Sequence, residues 1–106
     1  MVTTVVHMKH ADFDIYIGRR IGRDLHYGNP FSHHKHLEHA IPVDSREEAV
    51  EMFQKWLDGE VYQTVDPERR RWILLNIPHL KGKVLGCFCS PLLCHGDILA
   101  ERANAS

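Results

Sequence analysis

Two short apolar runs near the start of the chain predict β-strands. Residues 3–8 and 13–18 are rich in β-branched and aromatic side chains, the types that strands favour. In the second run apolar and polar residues alternate, which predicts that Phe13, Ile15 and Ile17 share a buried face. A hairpin is one arrangement of the two strands, although the segment between them has no Asn-Gly turn signal.

Helical spacing of apolar residues begins further along the chain. Residues 45–58 predict an α-helix, because Ser45 and Glu48 fit a capping box and Gly59 stops the helix. The residues that repeat at helical spacing on its buried face are Ala49, Val50, Phe53, Trp56 and Leu57. The preceding stretch, residues 19–42, has no regular pattern and is expected to be a long loop.

The second half of the chain predicts three more elements. Asp66-Pro67, a cap followed by proline at the first helical position, predicts a helix that runs to about Asn76. Its core-facing residues are expected to be Trp72, Ile73 and either Leu74 or Leu75. Residues 83–89 predict a buried strand, and a last short helix begins near His95.

The order β, β, loop, α, α, β, α predicts one α/β domain over residues 1–106. Strands combined with crossover helices imply a mixed or mostly parallel sheet flanked by helices. The 106 residues, of which 43% are hydrophobic and 25% charged, are typical of a folded domain and argue against disorder. No apolar run approaches the roughly 20 residues that cross a bilayer, so we expect a cytoplasmic protein with no membrane partner.

The charge balance argues against non-specific nucleic-acid binding. Thirteen Lys and Arg residues against 14 Asp and Glu residues give a net charge of −1, whereas such binders usually carry a large basic excess. Nucleic-acid binding is therefore an alternative and not the favoured function. Its candidate contacts are Arg19, Arg20, Arg23 and the run Arg69, Arg70 and Arg71, although such a run more often forms a solvated helix face.

Three cysteines within eight positions carry the most distinctive chemistry. Cys87 and Cys89 are expected on one face of the predicted strand, and Cys94 and His95 at the start of the last helix. Three thiolates and an imidazole suit Zn²⁺, so a structural zinc-binding module with these four residues as ligands is one alternative. The spacing differs from the usual Cys-x2-Cys knuckle. Another alternative is that the cysteines only pack in the core.

The favoured interpretation is a thiol and ligand site at this strand–loop–helix junction. The positive end of a helix lowers the pKa of a nearby cysteine and attracts anions. In a hydrolase or transferase, His95 would be the general acid or base, Asp97 would orient it or act as the catalytic carboxylate, and Cys89 or Cys94 would be the nucleophile. The Cys89-x5-His95 spacing resembles the Cys-x5-Arg loop of tyrosine phosphatases, with histidine in place of arginine.

Polar residues elsewhere are expected to complete a pocket for a small anionic or nucleotide-like ligand. Arg19 offers a planar fork for phosphate or carboxylate, and Asn29 offers an amide that can bind a sugar hydroxyl or a base edge. The candidate ligand-binding set is Tyr16, Gly18, Arg19, Gly28, Asn29 and Pro30. Four further histidines, namely His33, His34, His36 and His39, are expected to lie on a solvated loop that binds metal only adventitiously.

Four motifs in order resemble one uncharacterised family. They are YIGR at residues 16–19, GNPF at 28–31, the capped helix SREEAVEMFQKWL, and LKGKVLGCFCSPLLCHGDILA at 80–100. Together they resemble domain of unknown function four-three-two-six (DUF4326), over about residues 13–102. The resemblance implies a protein of bacteria or their phages, which adds a phage–host interaction module to the alternatives. It supports the fold and the pocket but implies no reaction.

Overall fold

The computed structural model describes residues 2–18, 25–34, 40–90 and 92–106. Their strands and helices, in chain order, are β1 (Thr4–His7), β2 (Ile15–Tyr16), β3 (Phe31–Ser32), β4 (Ile41–Pro42), α1 (Arg46–Leu57), α2 (Pro67–Asn76), a 3-10 helix (Ile77–Leu80), β5 (Val84–Cys87) and α3 (His95–Asn104). The fold is α/β, as the sequence predicts, and its sheets are parallel.

A three-stranded parallel sheet in the order β1-β5-β2 forms the centre of the molecule. Val6 and Tyr16 lie opposite Gly86 on either side of β5. The hairpin arrangement of the first two strands is therefore wrong, because β5 lies between them. β5 is the most apolar of the three, and a central strand is the one that a parallel sheet buries most completely.

A second, two-stranded parallel sheet pairs β3 with β4 inside the stretch expected to be irregular. Ile41 N donates to Pro30 O at 2.8 Å, and Val43 N donates to Ser32 O at 2.9 Å. Strands of two residues show no alternation, so the sequence pattern could not reveal them.

Helix α1 confirms the prediction made from its apolar face. Ser45 Oγ accepts a hydrogen bond from Glu48 N at 3.0 Å, as expected of an N-cap residue. All five residues of the predicted face are buried. The buried face packs against α3, α2 and β3, so α1 connects the two sheets through the core.

Helix α2 begins at Pro67 as predicted, but two details were wrong. Asp66 has a positive φ of 41° and its side chain makes no cap hydrogen bond. Ile73 is fully buried and Trp72 half-buried, whereas Leu74 and Leu75 are exposed, Leu75 to 75%. The chain turns into the 3-10 helix directly after α2, and Ile77 and Leu80 of that helix are buried in the core.

The arginine run on α2 is not a solvated face. Arg69 is buried, donates to Gly28 O at 2.6 Å, and stacks over the ring of Trp56 at 5.2 Å. Arg70 Nε donates to the carbonyl oxygens of Trp56 and Leu57 at 2.9 and 3.0 Å, where α1 ends. The expectation of a solvated face holds only for the exposed Arg71. The other candidate arginines, Arg19, Arg20 and Arg23, lie outside the described residues.

Helix α3 packs closely on the central sheet. A Cβ atom at Gly96 would overlap Ile17 Cδ1, so a larger residue would force this buried side chain to move. Ile17 is fully buried, as predicted, but Phe13 is partly exposed and its ring covers Gly86. Within the described residues, no helix has the length and apolar character that a membrane span needs.

Candidate functional site

A small cleft of about 90 Å³ opens beside the start of two helices. Its lining includes Arg46, the first residue of α1, and His95, the first residue of α3, together with Cys89, Cys94 and Asn29. This volume is well below the roughly 300–1,000 Å³ of typical ligand sites, so the cleft can enclose only a small group of a ligand. The cleft thus brings together residues from three distant parts of the chain.

The N-terminus of α3 is closed by a capping box. Gly96 N donates to Cys94 Sγ at 3.4 Å, and Cys94 N donates to Asp97 Oδ2 at 3.0 Å. Cys94 is therefore the N-cap residue, a position that serine usually occupies. Asp97 is exposed, and its carboxylate holds the Cys94 backbone.

His95 is buried and its ring orientation is fixed by the backbone. Nε2 lies 2.7 Å from Ile17 O, and Nδ1 lies 3.5 Å from Cys94 Sγ. A carbonyl oxygen only accepts, so we assign the proton of the neutral ring to Nε2, which leaves Nδ1 unprotonated beside the Cys94 sulfur. The edge-to-face contact with Phe53, at 5.1 Å, completes the packing of the ring. His95 therefore contacts Cys94 directly, and it can influence Cys89 only through the Cys94 side chain.

The three cysteines form one hydrogen-bonded cluster. Cys94 interacts through its side chain with both Cys87 and Cys89. These two contacts and burial raise the pKa of Cys94, which keeps it a thiol. Ser90 N donates to Cys87 Sγ at 3.4 Å. Cys87 and Cys94 are 2% and 3% exposed, whereas Cys89 is half-buried and lines the cleft.

Cys89 is the favoured thiolate of this cluster. The hydrogen bond from Cys94 and the nearby Arg46 guanidinium lower the pKa of Cys89 to about 5, although burial opposes them. The Cys94 hydrogen bond also lowers the pKa of Cys87, to about 6. Cys94 has a single proton to donate, and only Cys89 has a guanidinium partner as well. The negative charge therefore resides on the sulfur that faces the cleft.

Arg46 is the functional residue that the sequence interpretation missed. Its guanidinium lies near the Cys89 side chain and favours the thiolate, and Nη1 donates to Leu93 O at 3.4 Å. A cation at the first position of a helix is disfavoured by the positive end of the helix dipole. The arginine directly after the Ser45 cap was thus a signal in the sequence that its charge interacts with a group outside α1.

Comparison with known proteins gives the family. The model of a domain of unknown function, DUF4326, matches residues 4–105. The chain belongs to this family. The match confirms the resemblance found in the sequence and extends it to include β1. No solved structure matches.

A relative of this DUF4326 domain is found in a bacteriophage. The chain is 30% identical over 111 residues to an uncharacterised 12.4 kDa protein in the nrdA-td intergenic region of Enterobacteria phage T4. The alignment covers 94% of this chain and 76% of the phage protein.

The GNPF motif builds one wall of the cleft of the DUF4326 domain. Asn29 Oδ1 accepts from Phe31 N at 3.0 Å, and Asn29 Nδ2 donates to Ala49 O at 2.9 Å. Gly28 O accepts from Arg69, and Pro30 O accepts from Ile41 N. Asn29 thus lies at the cleft as predicted, while these contacts show it tying the loop to α1.

The three described residues of the YIGR motif, residues 16–18, do not line the cleft. The ring of Tyr16 meets that of Phe88 edge to face, with centroids 6.3 Å apart, and its phenol oxygen lies over Gly18. Arg19, the predicted anion fork, lies outside the described residues. The predicted site residues that share the cleft lining are therefore Asn29, Cys89, Cys94 and His95.

The histidine tract contributes to the cleft. His33 is half-buried there, so the expectation of a solvated loop is wrong for this residue. Burial lowers the pKa of His33, and the nearby His34 and Arg46 lower it further. His34 is exposed, and His36 and His39 lie outside the described residues.

The zinc alternative remains a prediction for Cys87, Cys89, Cys94 and His95. Within the ranges described, no group of three or more His, Cys, Asp and Glu side chains is arranged to hold a metal ion. In His95 the Nε2 atom is directed at Ile17 O and Nδ1 at Cys94, one of its proposed co-ligands. Metal binding through this imidazole would require one of these contacts to break.

Proposed function

We propose that this DUF4326 domain binds a nucleotide-like or other small anionic ligand, whose anionic group enters the cleft, and acts as a hydrolase or transferase with Cys89 as nucleophile. The observation that carries the proposal is the contact between the Cys89 thiol and the Arg46 guanidinium at the cleft. A thiolate is the nucleophilic form of cysteine, and a guanidinium binds carboxylate and phosphate groups well.

The electrostatics of the cleft support an anionic ligand. Arg46 and His95 are the first residues of α1 and α3, and both line the cleft. The positive ends of two helix dipoles therefore meet there, beside a guanidinium. His33, with its lowered pKa, adds a neutral ring that can accept or donate a hydrogen bond.

The chemistry follows from a thiolate beside a bound anion. The Cys89 sulfur forms a bond to an electrophilic carbon of the ligand, and the bond from that carbon to the leaving group breaks with its electron pair. Water, in a hydrolase, or a second substrate, in a transferase, then displaces the sulfur and restores the thiolate. The proton that the incoming group gives up balances the one that the leaving group takes.

The predicted general acid or base takes a more limited role in this scheme. His95 Nδ1 faces Cys94 Sγ and not the cleft sulfur itself. It packs beside the Cys94 sulfur, and the hydrogen bond from Cys94 stabilises the Cys89 thiolate. His95 is thus a positioning residue, and Asp97 supports it by fixing the Cys94 backbone.

Two alkylating reagents test the proposal, because iodoacetate and iodoacetamide differ chiefly in one negative charge. Both should modify Cys89 first in the native protein, as mapped by mass spectrometry. The rate with iodoacetate, divided by the rate with iodoacetamide, should fall about tenfold in Arg46→Gln, the effect of one lost charge-assisted hydrogen bond. Taking the ratio removes the change in thiolate content that this variant also causes.

Arg71→Gln is the matched control for this measurement. It removes the same charge from an exposed position on α2, outside the cleft lining. Its rate ratio should equal that of the wild type. An unchanged ratio in Arg46→Gln, or first alkylation at Cys87 or Cys94, would refute the proposed function.

A further inference from the structure

We propose that Cys89 and Cys94 form a reversible disulfide when a hydroperoxide enters the cleft, which blocks the nucleophile. The inference rests on the proposed function for the placement of Cys89 at the cleft, and it adds a modification site and a means of control. Its basis is the arrangement of one accessible sulfur against a buried thiol of the same cluster.

The geometry separates the roles of the two cysteines. Cys89 is half-buried and faces the cleft, so a molecule of peroxide size can reach its sulfur. Cys94 also belongs to the cleft lining, but it is 3% exposed and contacts Cys89 through its side chain. The first sulfur is thus placed to meet the oxidant and the second to meet the oxidised product. Redox-sensing cysteines usually combine an accessible thiolate with a neighbouring resolving cysteine.

Each step balances in atoms and electrons. The Cys89 thiolate attacks one oxygen of the hydroperoxide, the O–O bond breaks, and a sulfenic acid and an alkoxide or hydroxide result. The sulfur of Cys94 then attacks the Cys89 sulfur, an S–S bond forms, and the S–O bond breaks. The proton of Cys94 leaves with the hydroxyl group as water. Overall, two thiols lose two electrons to the peroxide, and an external thiol can reverse the change.

His95 assists the second step by its position. Its Nδ1 lies 3.5 Å from Cys94 Sγ, and its other ring nitrogen is held by Ile17 O. The ring can therefore accept the Cys94 proton as the sulfur attacks and pass it to the departing hydroxyl group, since a thiolate and not a thiol is the attacking species.

Cys87 serves as the internal control. It belongs to the same cluster, but it is 2% exposed, lies outside the cleft lining, and its sulfur accepts a hydrogen bond from Ser90 N. Cys87→Ser should leave the disulfide unchanged. Cys94→Ser is the informative variant, and it should fold because serine is a favoured N-cap residue in place of Cys94.

The experiment treats the reduced full chain with one equivalent of hydrogen peroxide, blocks remaining thiols at low pH, and maps the products by mass spectrometry. Chymotrypsin suits the mapping, because Phe88 separates Cys87 from Cys89 and Leu93 separates Cys89 from Cys94. We expect a cross-link between Cys89 and Cys94 in the wild type and in Cys87→Ser. Cys94→Ser should instead accumulate a dimedone-reactive sulfenic acid at Cys89, and Cys89→Ser should stay reduced over the same time.

Three outcomes would overturn the inference: no disulfide in the wild type, loss of the disulfide in Cys87→Ser, or a Cys87–Cys89 cross-link in Cys94→Ser formed at the wild-type rate. These outcomes are distinct from failure of the proposed function. The peroxide test uses an uncharged oxidant and no anionic probe, so Cys89 can fail to form the disulfide while the alkylation ratio still shows an anion site. Conversely, the disulfide can form while the alkylation ratio shows no anion site, which would refute the proposed function alone.

Discussion

The guanidinium of Arg46, at the first position of α1, lies near the side chain of Cys89 beyond the end of β5 and favours the thiolate form of that cysteine. This contact joins the helix that carries the chain's clearest apolar pattern to its cysteine-rich segment. It supplies from a distant helix the cation that the loop from Cys89 to His95 lacks.

Loss of Arg46 should raise the pKa of Cys89 by about one unit or more, since a hydrogen bond to a charged group contributes about 1.5–3 kcal/mol. The pKa of Cys89 is lowered to about 5, so the wild-type thiol should alkylate rapidly down to mildly acidic pH. In Arg46→Gln the midpoint of the rate–pH profile with iodoacetamide should move upward. Arg71→Gln should keep the wild-type midpoint, and a common midpoint for all three proteins would contradict the role of Arg46.

Inorganic phosphate should protect Cys89 from iodoacetamide. If the cleft binds anions through Arg46, millimolar phosphate should slow alkylation of the wild type more than chloride at equal ionic strength. Arg46→Gln should show no difference between the two salts. Equal protection by phosphate and chloride in the wild type would leave only ionic-strength screening and would argue against a cleft anion site.

Removal of Arg69 should destabilise the fold strongly. Its buried guanidinium donates to Gly28 O and His26 O and stacks on Trp56, so Arg69→Ala leaves buried acceptors without a donor. We expect the free energy of unfolding in urea to fall by about 2–4 kcal/mol. Arg71→Ala, an exposed neighbour on the same helix, should change it by less than about 0.5 kcal/mol. A small effect of Arg69→Ala would show that its contacts are dispensable.

Gly96→Ala should destabilise the protein although alanine favours helices. The added Cβ would overlap Ile17 Cδ1 and lie 3.3 Å from Val5 Cγ1, and such overpacking costs about 1–3 kcal/mol. Ile17→Val removes the overlapping methyl group, so the double variant should cost less than the two single changes added together. Additive costs in thermal or urea unfolding would contradict this contact.

The sequence revealed those features that depend on local order. The apolar spacing in residues 45–58 found α1 and its whole buried face, and Pro67 found the start of α2. The close spacing of Cys89 and Cys94 placed both at one strand–helix junction, which the structure confirms.

The sequence pattern could not predict contacts between segments that lie far apart in the chain. Arg46 reaches Cys89, and Arg69 reaches Gly28, only after several elements have packed. In a helix pattern both arginines look like ordinary surface residues. Asn29 shows the same limit, because its position at the cleft was predictable, whereas its bond to Ala49 O depends on where α1 lies.

The order of strands in the central sheet also sets a condition on when the protein can fold during synthesis. β1 and β2 each take β5 as their hydrogen-bonded neighbour, and β5 begins at Val84. A nascent chain that ends before this residue has both early strands but not the strand between them. Pairing across such a sequence separation is slow. The backbone groups of β1 and β2 therefore remain unpaired with β5 until the ribosome has synthesised the cysteine segment. The central sheet and the position of Cys89 at the cleft therefore form in the same late step of folding.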